Sequence, residues 1–158
     1  MQNISQTLAG RVAVTRLLPL SISELKEDAN IDTNTLMWKG FYPGVWGDWK
    51  DPGNVYDNYV STYLQRDVRQ ILNIKDLSLF QKFLTIVASR VGNVFIASSI
   101  ASELGVDYKT IQSWMSILET SYTAFLLHPF HRNIGKRLTK TPKVYFYDVG
   151  LVCHLLGI

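Results

Sequence analysis

Two groups of residues in this chain could act together on a polyanion. Lys109, Gln112, Ser113 and Ser116 recur at steps that place them on one face of a helix, opposite Ile111, Trp114, Met115 and Leu118. That face is small and polar and carries one positive charge, as a helix that must approach base edges requires. Downstream, Arg132, Lys136, Arg137, Lys140 and Lys143 fall between Glu119 and Asp148, where no acidic residue occurs. The chain has 16 basic and 13 acidic residues; setting these five aside leaves 11 basic against 13 acidic, so the remainder is −2. A +5 segment on a −2 body is the polarity that phosphate binding requires. A ribbon made soluble by lysines, or a protein partner, fits the same charge count.

Other chemistries lack their residues. No GxxxxGK[ST] loop is present to cradle a nucleoside triphosphate, no G-x-S-x-G occurs, and no cofactor is expected. Acid-x-lysine triplets run from Glu24, Asp48 and Asp107, but on expected helices or a loop. A metal-dependent nuclease needs such a triplet on a strand facing a second carboxylate. His128 and His131 would point to opposite faces of a strand with no cysteine or carboxylate near, so no metal site is expected. His154 sits in an apolar helix end and reads as a core histidine. No catalytic residue is assigned and no enzymatic activity is expected. The single cysteine, Cys153, excludes an internal disulfide and fits a reducing cytosol, and its apolar neighbours Val152 and Leu155 suggest a buried thiol. No apolar run approaches the roughly 20 residues of a membrane helix, and the N-terminus lacks a signal-peptide layout. A cytoplasmic, membrane-free protein is the expectation.

The elements that must position the two groups follow from capping and periodicity. Ser98 and Ser99 are expected to cap a helix carrying Ile100, Ala101 and Leu104, which Gly105 stops. Asp107 then caps the helix of Lys109 and Gln112. Residues 122–130 and 144–147 read as strands of a ribbon with its tip around Gly135. Helix, turn, helix and basic ribbon make the outline of a winged helix. Before it, 11–18 reads as a strand, and Ser21 or Ser23 as the cap of a short helix toward Glu27. Residues 28–35 read as a loop, and 40–53 as a structured loop pinned by Trp46 and Trp49. Residues 56–72 read as a helix with Val60, Leu64, Val68 and Ile71 inward. Another, capped by Asp76, turns Leu77, Phe80, Leu84, Val87 and Val91 inward and ends at Gly92. Asp148 caps a last apolar helix over 149–156.

The strings LAGRVAVTRLLPLSISEL, GFYPGVW, YVSTYLQRDVRQILNI and SWMSILETSYTAFLLHPFHRNIGKRLTKTPKVYFYDVGL resemble bacterial and archaeal P-loop ATPases of the AAA+ class that carry a DUF4143-type region. The resemblance implies an ATPase module before this region and a nuclease-like domain after it. ATP binding would then belong to that family's own phosphate loop, absent here. It also implies that Arg11 is similar to arginines reaching a neighbouring subunit's γ-phosphate, with a structural salt bridge as the alternative.

The expected fold is mainly α with a small β component: a winged helix (helix-turn-helix plus β-ribbon) preceded by a helical linker. The expected division is 1–20 as the tail of an ATPase core, 21–55 as a linker, 56–147 as the winged-helix domain and 148–158 as the start of a further domain. The expected function is contact with double-stranded DNA. The alternatives are a structural lid or protein-docking module, and a truncated product with no independent role. The lone strand and the apolar last helix predict self-association.

Overall fold

In the computed structural model, which describes residues 13, 15–25, 31–47, 51–63, 77–130, 132 and 140–158, the chain is mainly helical with one small antiparallel sheet. Among the described residues there are seven helices: α1 (Thr33–Lys39), α2 (Pro43–Trp46), α3 (Pro52–Tyr63), α4 (Leu77–Ser89), α5 (Ala97–Leu104), α6 (Tyr108–Thr120) and α7 (Val149–Leu156). The two strands are β1 (Ala124–Leu127) and β2 (Lys143–Phe146), paired so that Ala124 faces Phe146 and Leu127 faces Lys143.

The core forms where apolar faces of α4, α5 and α6 meet. Phe80, Phe83, Leu84 and Val87 turn inward from α4, Ile100 and Ala101 from α5, and Ile111, Trp114, Met115 and Leu118 from α6. The Trp114 ring lies 5.4 Å from both the Phe80 and Phe83 rings, edge-on to the first. Val144 of β2 and Leu151 of α7 close the same cluster, which Val45 and Tyr56 join from the N-terminal side.

Several expectations are corrected. Residues 28–35 are not all loop: Asp32 caps α1 by accepting from the Asn34 and Thr35 amides. The Thr35 hydroxyl first, with those amides, holds the Asp32 carboxyl below its usual range. The expected strand over 11–18 is not seen at residues 13 and 15–18, which run without a strand partner; the rest of it lies outside the described residues. After Pro19, residues 22–25 form a turn in which the Glu24 side chain accepts from the Ser21 amide and hydroxyl, a capping-box arrangement; the rest of the helix expected toward Glu27 lies outside the described residues. Within 40–53 there is a one-turn helix, α2, and α3 starts at Pro52, four residues ahead of expectation. Pro52 suits a first helical turn, and the Asp51 side chain accepts from the Asn54 amide. Ser98 and Ser99 do not cap α5; they lie inside it, and Ile96 occupies the cap with no side-chain bond. The strand expected over 122–130 is only four residues long, since Tyr122 takes a left-handed φ of 54° and turns the chain into β1. Residues 64–72, Trp49, Asp76 and the ribbon tip around Gly135 lie outside the described residues.

The last helix was expected to begin a further domain and to seek a partner elsewhere. It packs on α1, α3, α4 and β2 of this same chain, burying Gly150, Leu151 and Cys153. One of the two motives for self-association therefore disappears. The other, a lone strand edge, is not seen at residues 13 and 15–18, although Leu17, Leu18 and Ile22 there and in the following turn are exposed.

A buried polar hub fixes α7. Asp148, 0% exposed, accepts from the Phe41 amide (2.5 Å), the Leu151 amide (2.6 Å) and the Tyr56 hydroxyl (2.7 Å). That hydroxyl also faces the Lys39 carbonyl at 2.9 Å. Tyr42 stacks at a tilt against Tyr56, and His154 stacks on the Tyr56 ring while pairing with Asp57 at 3.3 Å. Burial pushes the Tyr42 and Tyr56 hydroxyls well above the usual tyrosine value near 10, with the Asp148 charge adding to the shift. Above that pH the unfolded chain ionises while the folded one does not. The hub's contribution is therefore complete below pH 10 and is lost as the pH climbs further. A urea-denaturation series should give a flat midpoint from pH 8 to about 10 and a fall beyond it. Tyr56→Phe should make that fall shallower relative to its own neutral value.

Candidate nucleic-acid interface

The turn between α5 and α6 is built by two residues. Gly105 takes a left-handed conformation (φ 66°, ψ 34°), and its amide and that of Val106 both return to the Ala101 carbonyl. Asp107 then caps α6 by accepting from the Lys109 amide at 2.6 Å. With Ile111, Trp114, Met115 and Leu118 locked inward, α6 has no rotational freedom. Lys109, Gln112, Ser113 and Ser116 are all left exposed. Gln112 Nε2 donates to the Tyr108 hydroxyl at 2.7 Å, one turn back on the same face.

The sheet runs beside that helix. Beyond β2, residues 92–95 add a short third run: Gly92 and Phe95 donate to Val144 and Pro142, and Val144 donates to Asn93. On the other side, the outward Leu126 amide of β1 meets Glu119 Oε1 at 3.3 Å. Glu119 is the acidic residue at the end of the α6 face, and this bond ties it to the sheet edge, where it lines the groove between helix and sheet. Between helix and sheet lies an open groove of about 690 Å³. Tyr108, Gln112, Met115 and Glu119 line it from α6, Ile96 from the α5 cap, and His128 and Lys140 from the chain just after β1 and just before β2.

The structure thus brings Gln112 and Lys140 to one groove, with Lys109, Ser113 and Ser116 on the adjoining helix face. Arg132 is exposed, as is Lys143 at the start of β2. Lys136, Arg137 and Arg11 lie outside the described residues. His128 is exposed past the end of β1, and among the described residues no group of three His, Cys, Asp or Glu could hold a metal ion. The Asp107–Lys109 triplet is a helix cap, not a strand pair. Cys153 is buried, and burial first, then the Asp148 charge, push its thiol up. No described helix is long and apolar enough to cross a membrane.

Sequence reasoning missed Tyr108, Ile96 and the Glu119 bond. The four-residue spacing of Tyr108 and Gln112 was a readable signal. Neither the groove nor the sheet-edge bond had one, because both depend on where β1 docks.

A family model matches residues 30–158, most of the chain and nearly all of the described structure. The chain belongs to the family described as a domain of unknown function, DUF8612. This overturns the resemblance to AAA+ ATPases with a DUF4143-type region: the matching family is DUF8612, and the relatives the chain matches carry only the description of uncharacterized proteins. The reading of Arg11 as a trans-acting arginine loses its basis with it. The chain is 30% identical over 156 residues to an uncharacterized protein of Mycobacterium tuberculosis, Rv2008c, and to the same degree to its Mycobacterium bovis counterpart, Mb2031c. The match covers 98% of this chain and 35% of each relative, so the DUF8612 chain spans about a third of the length of the curated relatives it matches. No solved structure matches it.

Proposed function

We propose that this DUF8612 chain is a winged-helix module that binds double-stranded DNA, chiefly through the phosphate backbone. α5 and α6 serve as the helix-turn-helix, α6 as the groove helix and β1–β2 as the wing. The observation that carries this reading is the placement of Gln112 and Lys140 across one groove, with the polar face of α6 open beside it. Residues 92–95 along β2 supply the short third run that a winged helix uses.

With Arg132, Lys136, Arg137, Lys140 and Lys143 engaged, about three to five phosphates are neutralised. The log–log salt slope on duplex DNA is then roughly −3 to −4.5. Arg132→Ala with Lys140→Ala should flatten that slope by about two and weaken binding to all sequences alike, by roughly tenfold per cation near 0.1 M salt. Fluorescence anisotropy of a labelled random duplex against salt reads both effects. Absence of binding at low salt refutes the DNA reading.

A second reading, protein docking, is favoured by one observation: Ile96 and Tyr108 are each about half exposed at the rim of the same groove (49% and 48%). It predicts an apolar partner and little dependence on salt.

A further inference from the structure

The free structure already holds the one amide on the α6 face that can tell bases apart. Gln112 has a carbonyl acceptor and two N–H donors, and one of those donors is committed to the Tyr108 hydroxyl at 2.7 Å. What remains to face a ligand is one N–H and the carbonyl. In the major groove adenine presents N7, an acceptor, and the N6 amino group, a donor; that pair matches the remaining donor and acceptor of Gln112. Guanine presents two acceptors, N7 and O6, and would need both amide N–H groups. Cytosine and thymine offer no such adjacent pair. The other polar residues of the face discriminate less: serine hydroxyls donate or accept equally well, and Lys109 is a flexible point charge.

We propose that Gln112 reads an adenine in the major groove and that Tyr108 is its positioning residue, holding the amide in the orientation that excludes guanine. The proposal rests on the DNA reading above and adds to it the base. Both side chains are exposed on a helix whose inward face is fully packed, so neither is needed to hold the core.

The test is selection of the full chain on a randomised duplex pool, followed by anisotropy titrations of the selected duplex. The expected result is one position at which adenine is enriched. There, 7-deazaadenine, which lacks the N7 acceptor, or a G·C pair should lower affinity roughly 5- to 150-fold. Gln112→Ala should bring the adenine-to-7-deazaadenine affinity ratio to about one. Tyr108→Phe, which keeps the ring and loses the hydroxyl, should reduce the ratio several-fold and admit guanine. DNA binding with no base preference, or with guanine preferred by the parent chain, overturns the proposal while leaving the DNA reading standing. An unchanged ratio in Tyr108→Phe overturns the role of Tyr108. No binding to any duplex at low salt overturns the DNA reading and this proposal together.

Discussion

Asp148→Ala is expected to cost about 3–5 kcal/mol, enough to unfold a domain of ordinary stability or leave it barely folded. The carboxylate is fully buried and receives three donors from three parts of the chain: the Phe41 amide after α1, the Tyr56 hydroxyl of α3 and the Leu151 amide in the first turn of α7. Removing it orphans two backbone N–H groups in a site that water does not reach, and each such orphan costs about 1–3 kcal/mol. The Leu151 bond among these is also the N-cap of α7, so its loss frees that helix end as well. Tyr56 retains the Lys39 carbonyl, so its share of the loss is smaller. Urea denaturation followed by tryptophan fluorescence measures the change. Asp148→Asn, which keeps an acceptor in place, should recover part of the loss. A shift below 1 kcal/mol in Asp148→Ala would mean the hub does not hold the fold together.

Gly150→Ala should destabilise the chain by about 3 kcal/mol or more, through a different physical cause. The backbones of Gly150 and Gly40 lie so close that an added Cβ on residue 150 would sit 2.7 Å from both the nitrogen and the Cα of Gly40, and also against the Tyr56 hydroxyl. Backbone cannot rotate aside as a flexible side chain can. The methyl group must therefore push α7 away from the end of α1, lengthening the Phe41–Asp148 and Tyr56–Asp148 bonds together. Helix propensity alone would make alanine the better residue by nearly 1 kcal/mol, so the sign of the measured change decides between local preference and close packing. A stabilised Gly150→Ala variant would contradict the geometry of this contact.

The parts of the fold governed by local rules were legible in the sequence. Asp107, Gly105 and Asp148 could be assigned because each satisfies a helix end by itself. The inward faces of α4 and α6 were legible because a 3.6-residue period repeats for three turns. Loop-like composition concealed α1 and α2. Both are too short to show a period, and both are held by what docks on them: Trp46 Nε1 donates to the Gly40 carbonyl, Leu20 donates to Phe41, and Asp148 takes the Phe41 amide. Apolarity of 149–156 was visible, but not what covers it, since α1, α3 and α4, which pack on it, all lie far upstream in the chain. The polar face of α6 was legible as a face. Its coupling to Lys140 across a groove was not, because sequence does not show how near the sheet sits. The family resemblance misled because its strings are rich in aromatic, glycine and core residues, which report packing more than chemistry.

The distance along the chain between Phe41 and Asp148 has a consequence during synthesis. The amide emerges from the ribosome 107 residues ahead of the carboxylate that receives it. At translation rates of roughly 5–20 residues per second, that is a delay of about 5–20 s. Through that interval α1 and α2, of seven and four residues, are too short to persist as free helices, and Val45 and Tyr56 have no α7 to lie against. The later-made α4, α5 and α6 can meanwhile close on one another through contacts near in sequence. Order of birth and order of consolidation are thus reversed: the earliest-made of these helices are fixed last, and a nascent chain stalled before residue 148 lacks both the Leu151 side chain that closes its centre and the carboxylate that closes its N-terminal flank.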